Sequence, residues 1–366
     1  MNTSFAVTAD KIFTGRQWLT QKAVLIKDNI ISDIVPLESL DRETALQNFT
    51  GCILAPAFID LQNYGASQKL FSVFPEPDAL YKLSTHCRGG GAAFCMPTIA
   101  TNATEVFYKG IDAIREYWRQ GGQGILGLHV EGPWINAVKK GAHIEAFIHS
   151  PDLQEVKEFL DYGKDVIKII TLAPEVCPKE IVHFILSQNI VVSAGHSNAT
   201  YEQAMEGFNN GIPVATHLYN AMSPLQHRAP GLLGAIFDHD KVKASIIPDG
   251  HHVDFAAVRI ARKIMKDRLF VITDAVTETN SGFYQHKLVG DKYESSGILS
   301  GSALTMNKAV NNLVKFVNVE LEEALRMCSL YPAQVIGLDH SLGRIERGFN
   351  ASIVVLDNDL NALKVF

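Results

Sequence analysis

The stretch Gly127-Leu-His-Val-Glu-Gly-Pro-Trp134 decides how this chain is interpreted. An apolar run, Ile125 to Val130, stops at a single carboxylate, Glu131, and the turn residues Gly132 and Pro133 follow. A buried parallel strand that delivers one acidic side chain to the mouth of a barrel ends in this way. We therefore expect Glu131 to lie at the carboxyl end of a barrel strand.

Three more apolar runs end in a single polar residue that can carry chemistry. They are Ala194-Gly-His196, Ala215-Thr-His217 and Ile272-Thr-Asp274. Because the carboxyl ends of barrel strands meet on one face, these side chains are expected to lie together with Glu131. One carboxylate, two histidines and a later aspartate predict one metal ion and one general base.

The middle of the chain, residues 54–338, alternates strand-like runs with amphipathic helical segments such as 103–118 and 200–208. Eight such units predict a (β/α)8 barrel, a fold that takes roughly 250 residues or more. A doubly wound sheet is the alternative, but polar residues follow nearly every strand instead of clustering at one switch point. The strand-like runs are residues 53–61, 92–99, 125–130, 166–172, 190–194, 214–216, 243–247 and 269–273.

Both ends of the chain are rich in β-forming residues. Near the N-terminus, β-forming residues cluster between turns in the stretches 5–14, 23–27 and 30–35. Residues 343–357, near the other end, are similarly rich in them. Chain ends lie close together in many domains. We therefore expect residues 1–53 and 339–366 to form a small β-sandwich domain beside a barrel domain of residues 54–338.

Composition excludes several classes of protein. The net charge is −6, from 33 basic and 39 acidic side chains with no Lys/Arg block, which argues against a nucleic-acid or anionic-membrane surface. There is neither a leader-like N-terminus nor a run that approaches a membrane span, so a soluble cytoplasmic protein is expected. The cysteines are scattered without a C-x-x-C pair and are expected to be reduced core residues: Cys52, Cys87, Cys95, Cys177 and Cys328.

Glu131, His196 and His217 are the candidate metal ligands. They offer one carboxylate oxygen and two imidazole nitrogens, a set of three that leaves a position open for water, as catalytic zinc-type sites do. Taken singly, the glutamate can instead cap a helix and each histidine can be a hydrogen-bonded core residue. Their common placement at strand ends favours the metal site.

Asp274 is the candidate general base. It follows the eighth strand, and a carboxylate beside the attacking water can take a proton and later return it to a leaving group. The alternative is an N-cap for the next helix. Asp274 is the only acid at the end of its strand, which favours catalysis.

Loops after other strands carry further polar candidates. His143, in Lys139-Lys-Gly-Ala-His143, can polarise or position a carbonyl, or be an ordinary solvated histidine. Arg228 and His252 can form an anion site with the backbone of Asn220 and Ala221, although a lone loop arginine is usually only solvated. Six histidines away from strand ends are expected to be structural or exposed: His86, His149, His183, His239, His286 and His340.

An ordered set of motifs extends over most of the chain. The motifs are 129–134 (HVEGPW), 139–143 (KKGAH), 193–200 (SAGHSNAT), 215–222 (ATHLYNAM), 249–254 (DGHHVD), 273–275 (TDA) and 299–306 (LSGSALTM). Together they resemble those of N-acetylglucosamine-6-phosphate deacetylases, a family of the amidohydrolase superfamily. The Gly-x-Ile-x-x-Gly pattern at 343–348 also resembles the small β-sandwich domain of that superfamily.

The resemblance implies a reaction and a cofactor. The reaction is hydrolysis of the N-acetyl group of N-acetylglucosamine 6-phosphate to glucosamine 6-phosphate and acetate. The cofactor is one divalent metal ion per subunit, zinc first, with iron, nickel or cobalt as alternatives. Its ligands would be Glu131, His196 and His217, and Asp274 would act as general base and acid.

The resemblance also implies the residues that bind the substrate. His143 would contact the acyl or sugar oxygens as well as serve catalysis. A homodimer is implied, in which Arg228 serves the site of the neighbouring subunit. The full set of implied substrate-binding residues is Ala142, His143, Asn220, Ala221, Arg228, Asp249, His252, Leu299, Ser300 and Gly301.

Several positions depart from the family pattern. Gln62 stands where many amidohydrolases have a histidine of an H-x-H pair, which favours a single metal. Tyr64 replaces a common Asn, Ala57 a usual Gly, and Ala229 a frequent Glu, while residues 276–280 also differ. These departures leave the exact sugar open between N-acetylglucosamine 6-phosphate, N-acetylgalactosamine 6-phosphate and another amidohydrolase substrate.

Two further expectations concern a possible non-catalytic role and the C-terminal end of the chain. A non-catalytic barrel used for binding or assembly is the alternative from outside enzymology, and the intact set of ligands and base argues against it. The chain ends at Phe366, before the last strand that the family usually has, so a trimmed small domain is expected.

Overall fold

The computed structural model describes residues 4–295 and 297–366, and five strands come first along the chain. Clusters of apolar and β-branched residues between turns account for these strands. Their bounds are β1 Ser4–Phe13, β2 Trp18–Leu19, β3 Lys22–Lys27, β4 Ile30–Pro36 and β5 Leu46–Pro56.

Strands and helices alternate from Phe58 to Val335. Helices α2 and α5 confirm the two predicted amphipathic segments to within one residue at each end. The elements are β6 Phe58–Asn63, β7 Gly65–Ala66, β8 Lys69–Leu70, α1 Pro77–Gly89, β9 Ala92–Ala100, α2 Thr104–Arg119, β10 Leu128–Glu131, α3 Leu153–Gly163, β11 Ile167–Leu172, α4 Lys179–Ser187, β12 Val191–Ala194, α5 Tyr201–Asn209, β13 Val214–Ala215, α6 Gly231–Asp238, β14 Lys243–Ile246, α7 Phe255–Met265, β15 Leu269–Val271, β16 Lys287–Val289, β17 Lys292–Ser295, β18 Ile298–Ser302, α8 Met306–Lys315, α9 Leu321–Cys328 and α10 Leu330–Val335.

Eight of these strands form one sheet in the order β15-β14-β13-β12-β11-β10-β9-β6. Neighbours from β9 to β15 pair in parallel. A parallel bridge between Asn63 and Ala275, with a 3.0 Å hydrogen bond from Asp274 N to Gln62 O, joins the first strand to the eighth. The predicted (β/α)8 barrel is therefore confirmed, and the doubly wound alternative is wrong because the sheet closes on itself.

A polar layer crosses the inside of the barrel beneath the strand ends. The His129 Nδ1–H donates to Leu61 O (3.0 Å), which leaves Nε2 to accept from the Thr171 hydroxyl (2.8 Å). Thr171 Oγ1 in turn lies 2.8 Å from Thr216 Oγ1, and Ser193 Oγ lies 2.5 Å from Thr216 Oγ1. Burial lowers the pKa of His129 to about 4, so this histidine is neutral near pH 7. Each polar atom in the layer is thus satisfied without a buried charge.

Side-chain caps begin several of the outer helices. Asp152 accepts hydrogen bonds from two backbone N–H groups at the start of α3. Thr200 and Gln203 form a reciprocal capping box at α5, and Asp254 caps α7. Such caps satisfy N–H groups that have no partner within the helix. Of the helices in the described residues, none is long and apolar enough to cross a bilayer.

The last two strands are β19 Ile353–Leu356 and β20 Ala362–Val365. They extend the N-terminal strands into one sheet, in the order β20-β19-β5-β1-β3-β4, with β2 paired to β1. Buried apolar side chains from both ends of the chain share its core, among them Ile12, Val24, Leu54 and Ile353. The predicted small β domain built from both termini is confirmed.

The chain divides into two compact units. The first contains the chain up to Asp60 together with Thr85–Phe94 and Thr305–Phe366. The second contains Leu61–Ser84 and Cys95–Leu304. The candidate site described next lies wholly within the second unit.

Candidate active site

Glu131, His196, His217 and Asp274 all stand where barrel strands end. Glu131 is the last residue of β10, and the other three lie two or three residues beyond β12, β13 and β15. The backbone of each of these three is left-handed, with φ of +48° at His196, +37° at His217 and +54° at Asp274. Such φ values are uncommon for residues other than glycine and cluster at functional sites. No helix begins at Glu131 or Asp274, so neither carboxylate is a helix N-cap.

One oxygen of Glu131 meets two ring nitrogens. Glu131 Oε1 lies 3.3 Å from His196 Nε2 and 3.2 Å from His217 Nε2, and the two nitrogens are 3.1 Å apart. A tetrahedral ion about 2.0 Å from nitrogen and oxygen ligands holds those ligands roughly 3.3 Å apart. The three atoms therefore fit a divalent cation, and without a cation or a proton their lone pairs would repel one another.

Hydrogen bonds set the histidine tautomer on one side of this triangle. His196 Nδ1–H donates to Lys139 O at 2.9 Å, which leaves the Nε2 lone pair facing Glu131. Orientation of a ligand histidine by a backbone carbonyl is usual at metal sites. His217 Nδ1 is buried and has no hydrogen-bond partner among the described residues. His217 is therefore held mainly through its Nε2 edge.

His143 adds a second candidate grouping around the same carboxylate. Its Nδ1 lies 2.7 Å from Thr101 Oγ1 and its Nε2 lies 3.2 Å from Glu131 Oε2. Ligand atoms of Glu131, His143 and His196 lie within 4.8 Å of one another. We favour the triangle with His217, because its three sides match one tetrahedral ion, whereas His143 faces the other carboxylate oxygen.

The charges of these groups follow from burial and from one another. Burial acts to raise the pKa of Glu131, but the three histidines around its carboxylate, His143, His196 and His217, outweigh burial and hold the pKa well below its usual range. Burial, assisted by the charge of Glu131, raises the pKa of Asp274. Burial, assisted by the charge of His196, lowers the pKa of His143 to about 4. The site thus has an ionised glutamate, a neutral His143 and an aspartate that takes up a proton readily.

Gln62 and Tyr64 lie between the two carboxylates. Gln62 Nε2 donates to Asp274 Oδ1 (2.7 Å) and Glu131 Oε1 (3.0 Å), and it also lies 2.8 Å from Tyr64 Oη. The Tyr64 hydroxyl donates to Glu131 Oε2 at 2.5 Å and lies 3.3 Å from Asp274 Oδ1. Burial and the charges of Asp274 and Glu131 raise the pKa of Tyr64 well above its usual value, so its proton stays in place.

These residues open into a cavity of about 230 Å³. Its lining brings together most of the substrate-binding residues expected from the sequence: Ala142, His143, Asn220, Ala221, His252, Leu299 and Ser300. Asp249 stands behind His252 and accepts a 2.7 Å hydrogen bond from its Nδ1. Although burial acts to raise it, the hydrogen bond and charge of His252 lower the pKa of Asp249.

Like Asp249, two other expected residues do not line the cavity. Gly301 has φ of +157° and lies where a Cβ would come within 2.5 Å of Val276, a residue of the lining. Arg228 is exposed in a separate depression shared with Tyr201 and Gln226. The exposed arginine lies in a turn-rich loop, and the sequence pattern does not indicate on which side of the barrel mouth such a loop rests.

Sequence reasoning missed part of the cavity wall. His286, expected to be structural or exposed, is buried in the lining, where its Nδ1 lies 2.8 Å from Ser300 Oγ. Tyr284 lies beside it and donates its hydroxyl to Thr101 O. Both belong to the segment that precedes the three-stranded sheet β16–β18. No apolar run that ends in a polar residue marks this segment in the sequence. For Tyr64, the one signal in the sequence was that it stands where the family commonly has Asn.

Comparisons with known proteins agree with this geometry. The amidohydrolase family model matches residues 53–366, and the NagA composite domain matches residues 4–54. An N-acetylglucosamine-6-phosphate deacetylase of Haemophilus influenzae is 35% identical, over 94% of this chain and 93% of its own. An N-acetylgalactosamine-6-phosphate deacetylase of Escherichia coli O157:H7 is 30% identical, over 98% of this chain and 96% of its own.

A solved structure is similar over the whole chain. The crystal structure of an N-acetylglucosamine-6-phosphate deacetylase from Pasteurella multocida superposes with a TM-score of 0.95 at 35% identity. The match covers 100% of this chain and 98% of that one. The barrel and the small β domain thus occur together in a known fold.

Proposed function

Because the chain belongs to the amidohydrolase family of hydrolases, we propose that it removes the N-acetyl group of N-acetylglucosamine 6-phosphate, giving glucosamine 6-phosphate and acetate. The observation that carries this proposal is the meeting of Glu131, His196 and His217 beside Asp274 in one cavity. Relatives similar over nearly their whole length bear the name of this deacetylase.

Glu131 Oε1, His196 Nε2 and His217 Nε2 would hold one divalent metal ion per chain. Such an ion, when bound, polarises a carbonyl and lowers the pKa of water toward about 7. We propose zinc because its preferred ligands are nitrogen and oxygen in a three-residue set with an open position, with iron, nickel or cobalt as alternatives.

Asp274 would move the proton. Its raised pKa suits a group that takes a proton from the attacking water and returns it to the departing amide nitrogen, which leaves poorly without one. The Gln62 amide holds Asp274 Oδ1 at 2.7 Å, which fixes the carboxylate for both steps. Asp274 is the carboxylate suited to this role, since the three surrounding histidines favour the charged form of Glu131.

His143 would orient the acetyl group or the sugar. Its ring is neutral near pH 7 and lies between Thr101 at Nδ1 and Glu131 Oε2 at Nε2, so it would reach the substrate by exchanging the 3.2 Å contact with Glu131 for one with the acyl or sugar oxygen. A donor aimed at the developing oxyanion is worth roughly 3 kcal/mol in comparable sites. Ala142, Leu299, Ser300 and Gly301 would shape the cavity around the ring.

The phosphate would lie at the His252 side of the cavity. His252 is oriented by Asp249 on Nδ1, which turns its Nε2 edge away from that carboxylate, and Asn220 and Ala221 lie on the same lining. Arg228 is exposed outside the cavity of its own chain. We therefore propose a homodimer in which Arg228 of a second copy of this chain completes the phosphate site.

N-acetylgalactosamine 6-phosphate is the alternative substrate. A relative that is 30% identical over 98% of this chain bears the name of the deacetylase for that sugar. The two sugars differ only in the configuration at C4, and the reacting groups would serve either one. A non-catalytic barrel is the less favoured alternative, since the ligand triangle and the base are both complete.

The test combines metal analysis with acetate release from both phosphorylated sugars. We expect about one divalent ion per chain and faster acetate release from N-acetylglucosamine 6-phosphate. Faster release from the galactose epimer would favour the alternative substrate. Purified protein that takes up no divalent ion and releases no acetate from either sugar would contradict the proposal and favour a binding role.

Two broader proposals accompany this function. We propose a cytoplasmic location, which the five buried cysteine thiols, none of them in a disulfide, support. We also propose that residues 54–338 form the hydrolase domain and that residues 1–53 with 339–366 form the small β-sandwich domain. The sheet that joins β19 and β20 to β5 and β1 supports this division.

A further inference from the structure

The Tyr64 hydroxyl lies between the two buried carboxylates of the candidate site. The residue directly follows β6, and its Oη lies within 3.3 Å of three polar side chains: Glu131, Asp274 and Gln62. Buried tyrosines elsewhere in the same unit place their hydroxyls on backbone carbonyls, as Tyr117 does on Gln123 O and Tyr284 on Thr101 O. Tyr64 alone among these three binds carboxylates.

The donor count at Tyr64 fixes how its bonds are used. A phenol has one proton, and the 2.5 Å contact with Glu131 Oε2 takes it in a charge-assisted bond. The oxygen also lies 2.8 Å from Gln62 Nε2, whose two N–H groups are shared among Tyr64 Oη, Asp274 Oδ1 and Glu131 Oε1. Glu131 Oε2 is thus engaged by Tyr64 and by His143 Nε2, while Oε1 faces His196 and His217 and lies 3.0 Å from Gln62 Nε2.

We propose that Tyr64 is a positioning residue of the metal centre, which holds Glu131 so that it offers a single oxygen, Oε1, to the ion. Together with Gln62, Tyr64 also places N–H and O–H donors in the space between Glu131 and Asp274. A second cation there would need ligand atoms that offer lone pairs, and these donors do not. The inference rests on the proposed metal site and is independent of which sugar is hydrolysed.

The alternative to positioning is a purely structural role for the ring. Such a role predicts a loss of thermal stability on mutation, with unchanged ion affinity in the folded protein. A positioning role predicts lower ion affinity with little change in thermal stability. Removing a partner that orients a metal ligand typically lowers metal affinity roughly 10- to 100-fold.

The test compares Tyr64→Phe with Tyr117→Phe, which removes a hydroxyl that binds a backbone carbonyl outside the cavity. Both proteins are stripped of metal, and Co²⁺ affinity is measured by competition with a chelator. We expect Tyr64→Phe to lose roughly 10- to 100-fold in affinity. Its visible Co²⁺ absorption should also weaken, because Glu131 becomes free to bind through both oxygens and raise the coordination number. Tyr117→Phe should match the wild type in both measurements.

The same measurements define what overturns the proposal. Wild-type affinity and spectrum in folded Tyr64→Phe would show that the hydroxyl does not position Glu131. Titration of the wild-type protein with excess Co²⁺ needs no variant and should end at one ion per chain. Two tightly bound ions would contradict the blocking role of Tyr64 and Gln62. Neither measurement uses substrate, so failure here is distinct from failure to release acetate.

Discussion

His196 Nε2 and His217 Nε2 lie 3.1 Å apart, too close for two lone pairs to face each other without a cation or a proton between them. Glu131 Oε1 lies 3.2–3.3 Å from both nitrogens and completes the triangle. Burial acts to lower the pKa of His217, but Glu131 outweighs burial and raises it, which favours a proton at this site when no ion is bound. Metal binding and protonation therefore compete at these atoms.

Removal of metal should lower thermal stability. A ligand present at about 1,000 times its Kd stabilises the folded state by about 4 kcal/mol, so a chelator should lower the melting temperature by roughly 5 °C. His196→Asn serves as control, since asparagine tolerates the left-handed backbone at this position. This variant should melt near the chelated wild type and ignore the chelator. A wild-type melting temperature that is the same with and without chelator would contradict the metal site.

Asp274→Asn should retain metal but lose most turnover. The amide keeps an oxygen for the Gln62 hydrogen bond, and asparagine accepts the positive φ of this position, so the fold and the ligand triangle should persist. Loss of the acid and base functions should lower kcat roughly 10²- to 10⁴-fold. Asp152→Asn, at a helix cap on the outside of the barrel, should have wild-type kcat. Near-normal turnover in Asp274→Asn, with metal bound, would exclude this residue as the base.

His252→Gln should weaken binding of the phosphorylated sugar. Loss of a hydrogen bond to a charged group costs about 1.5–3 kcal/mol, so KM should rise roughly tenfold or more while kcat changes little. His251→Gln is the matched control: the adjacent histidine bonds to Asp291 and does not line the cavity. Equal KM values in the two variants would remove His252 from the phosphate site.

His286 should make the metal-free protein less stable in mild acid. Burial lowers the pKa of His286 to about 4, against about 6.5 in an unfolded chain. Between pH 4 and pH 6.5 the unfolded state therefore binds a proton that the folded state does not. The contribution of His286 to the free energy of unfolding is unaffected above pH 6.5 and becomes unfavourable as the pH falls toward 4. The linked loss from this residue reaches at most about 3 kcal/mol.

The measurement for His286 is urea unfolding in the presence of chelator at pH 7 and pH 4.5. His286→Gln should lose less stability between these pH values than the wild type does. His340→Gln, at an exposed position, should follow the wild type. A pH dependence of His286→Gln equal to that of the wild type would mean that His286 does not titrate as its burial implies.

The barrel could be predicted because its determinants are local. Each strand is a short apolar run bounded by polar or turn residues, and the strand ends at Glu131, His196, His217 and Asp274 were visible as the point where each run stops. Helix periodicity located α2 and α5 to within one residue. Parallel connectivity then brings all carboxyl ends to one face, so the meeting of Glu131, His196 and His217, the proposed metal ligands, follows without coordinates.

The remainder depends on distances between segments remote in sequence. Nothing local indicates that the Tyr64 hydroxyl reaches Glu131, because residue 64 lies after the strand and its side chain is set by barrel closure. His286 lies in the segment that precedes the three-stranded sheet β16–β18. The hydrophobic pattern of the sequence does not predict where that segment runs. Arg228 had the right charge for a phosphate ligand, but the loop that carries it rests outside the cavity of its own chain.

Closure of the barrel also sets when activity can begin. The bond from Gln62 to Asp274 spans 212 residues, and the Asn63–Ala275 bridge beside it joins the first strand to the eighth. Contacts of such long sequence separation form late, because loop-closure entropy opposes them until much of the chain is ordered. A nascent chain on the ribosome has Glu131, His196 and His217 well before Asp274 emerges. With Asp274 as the proposed base, catalysis starts only after synthesis has passed the eighth strand, and a chain truncated before it carries the three proposed metal ligands without that base.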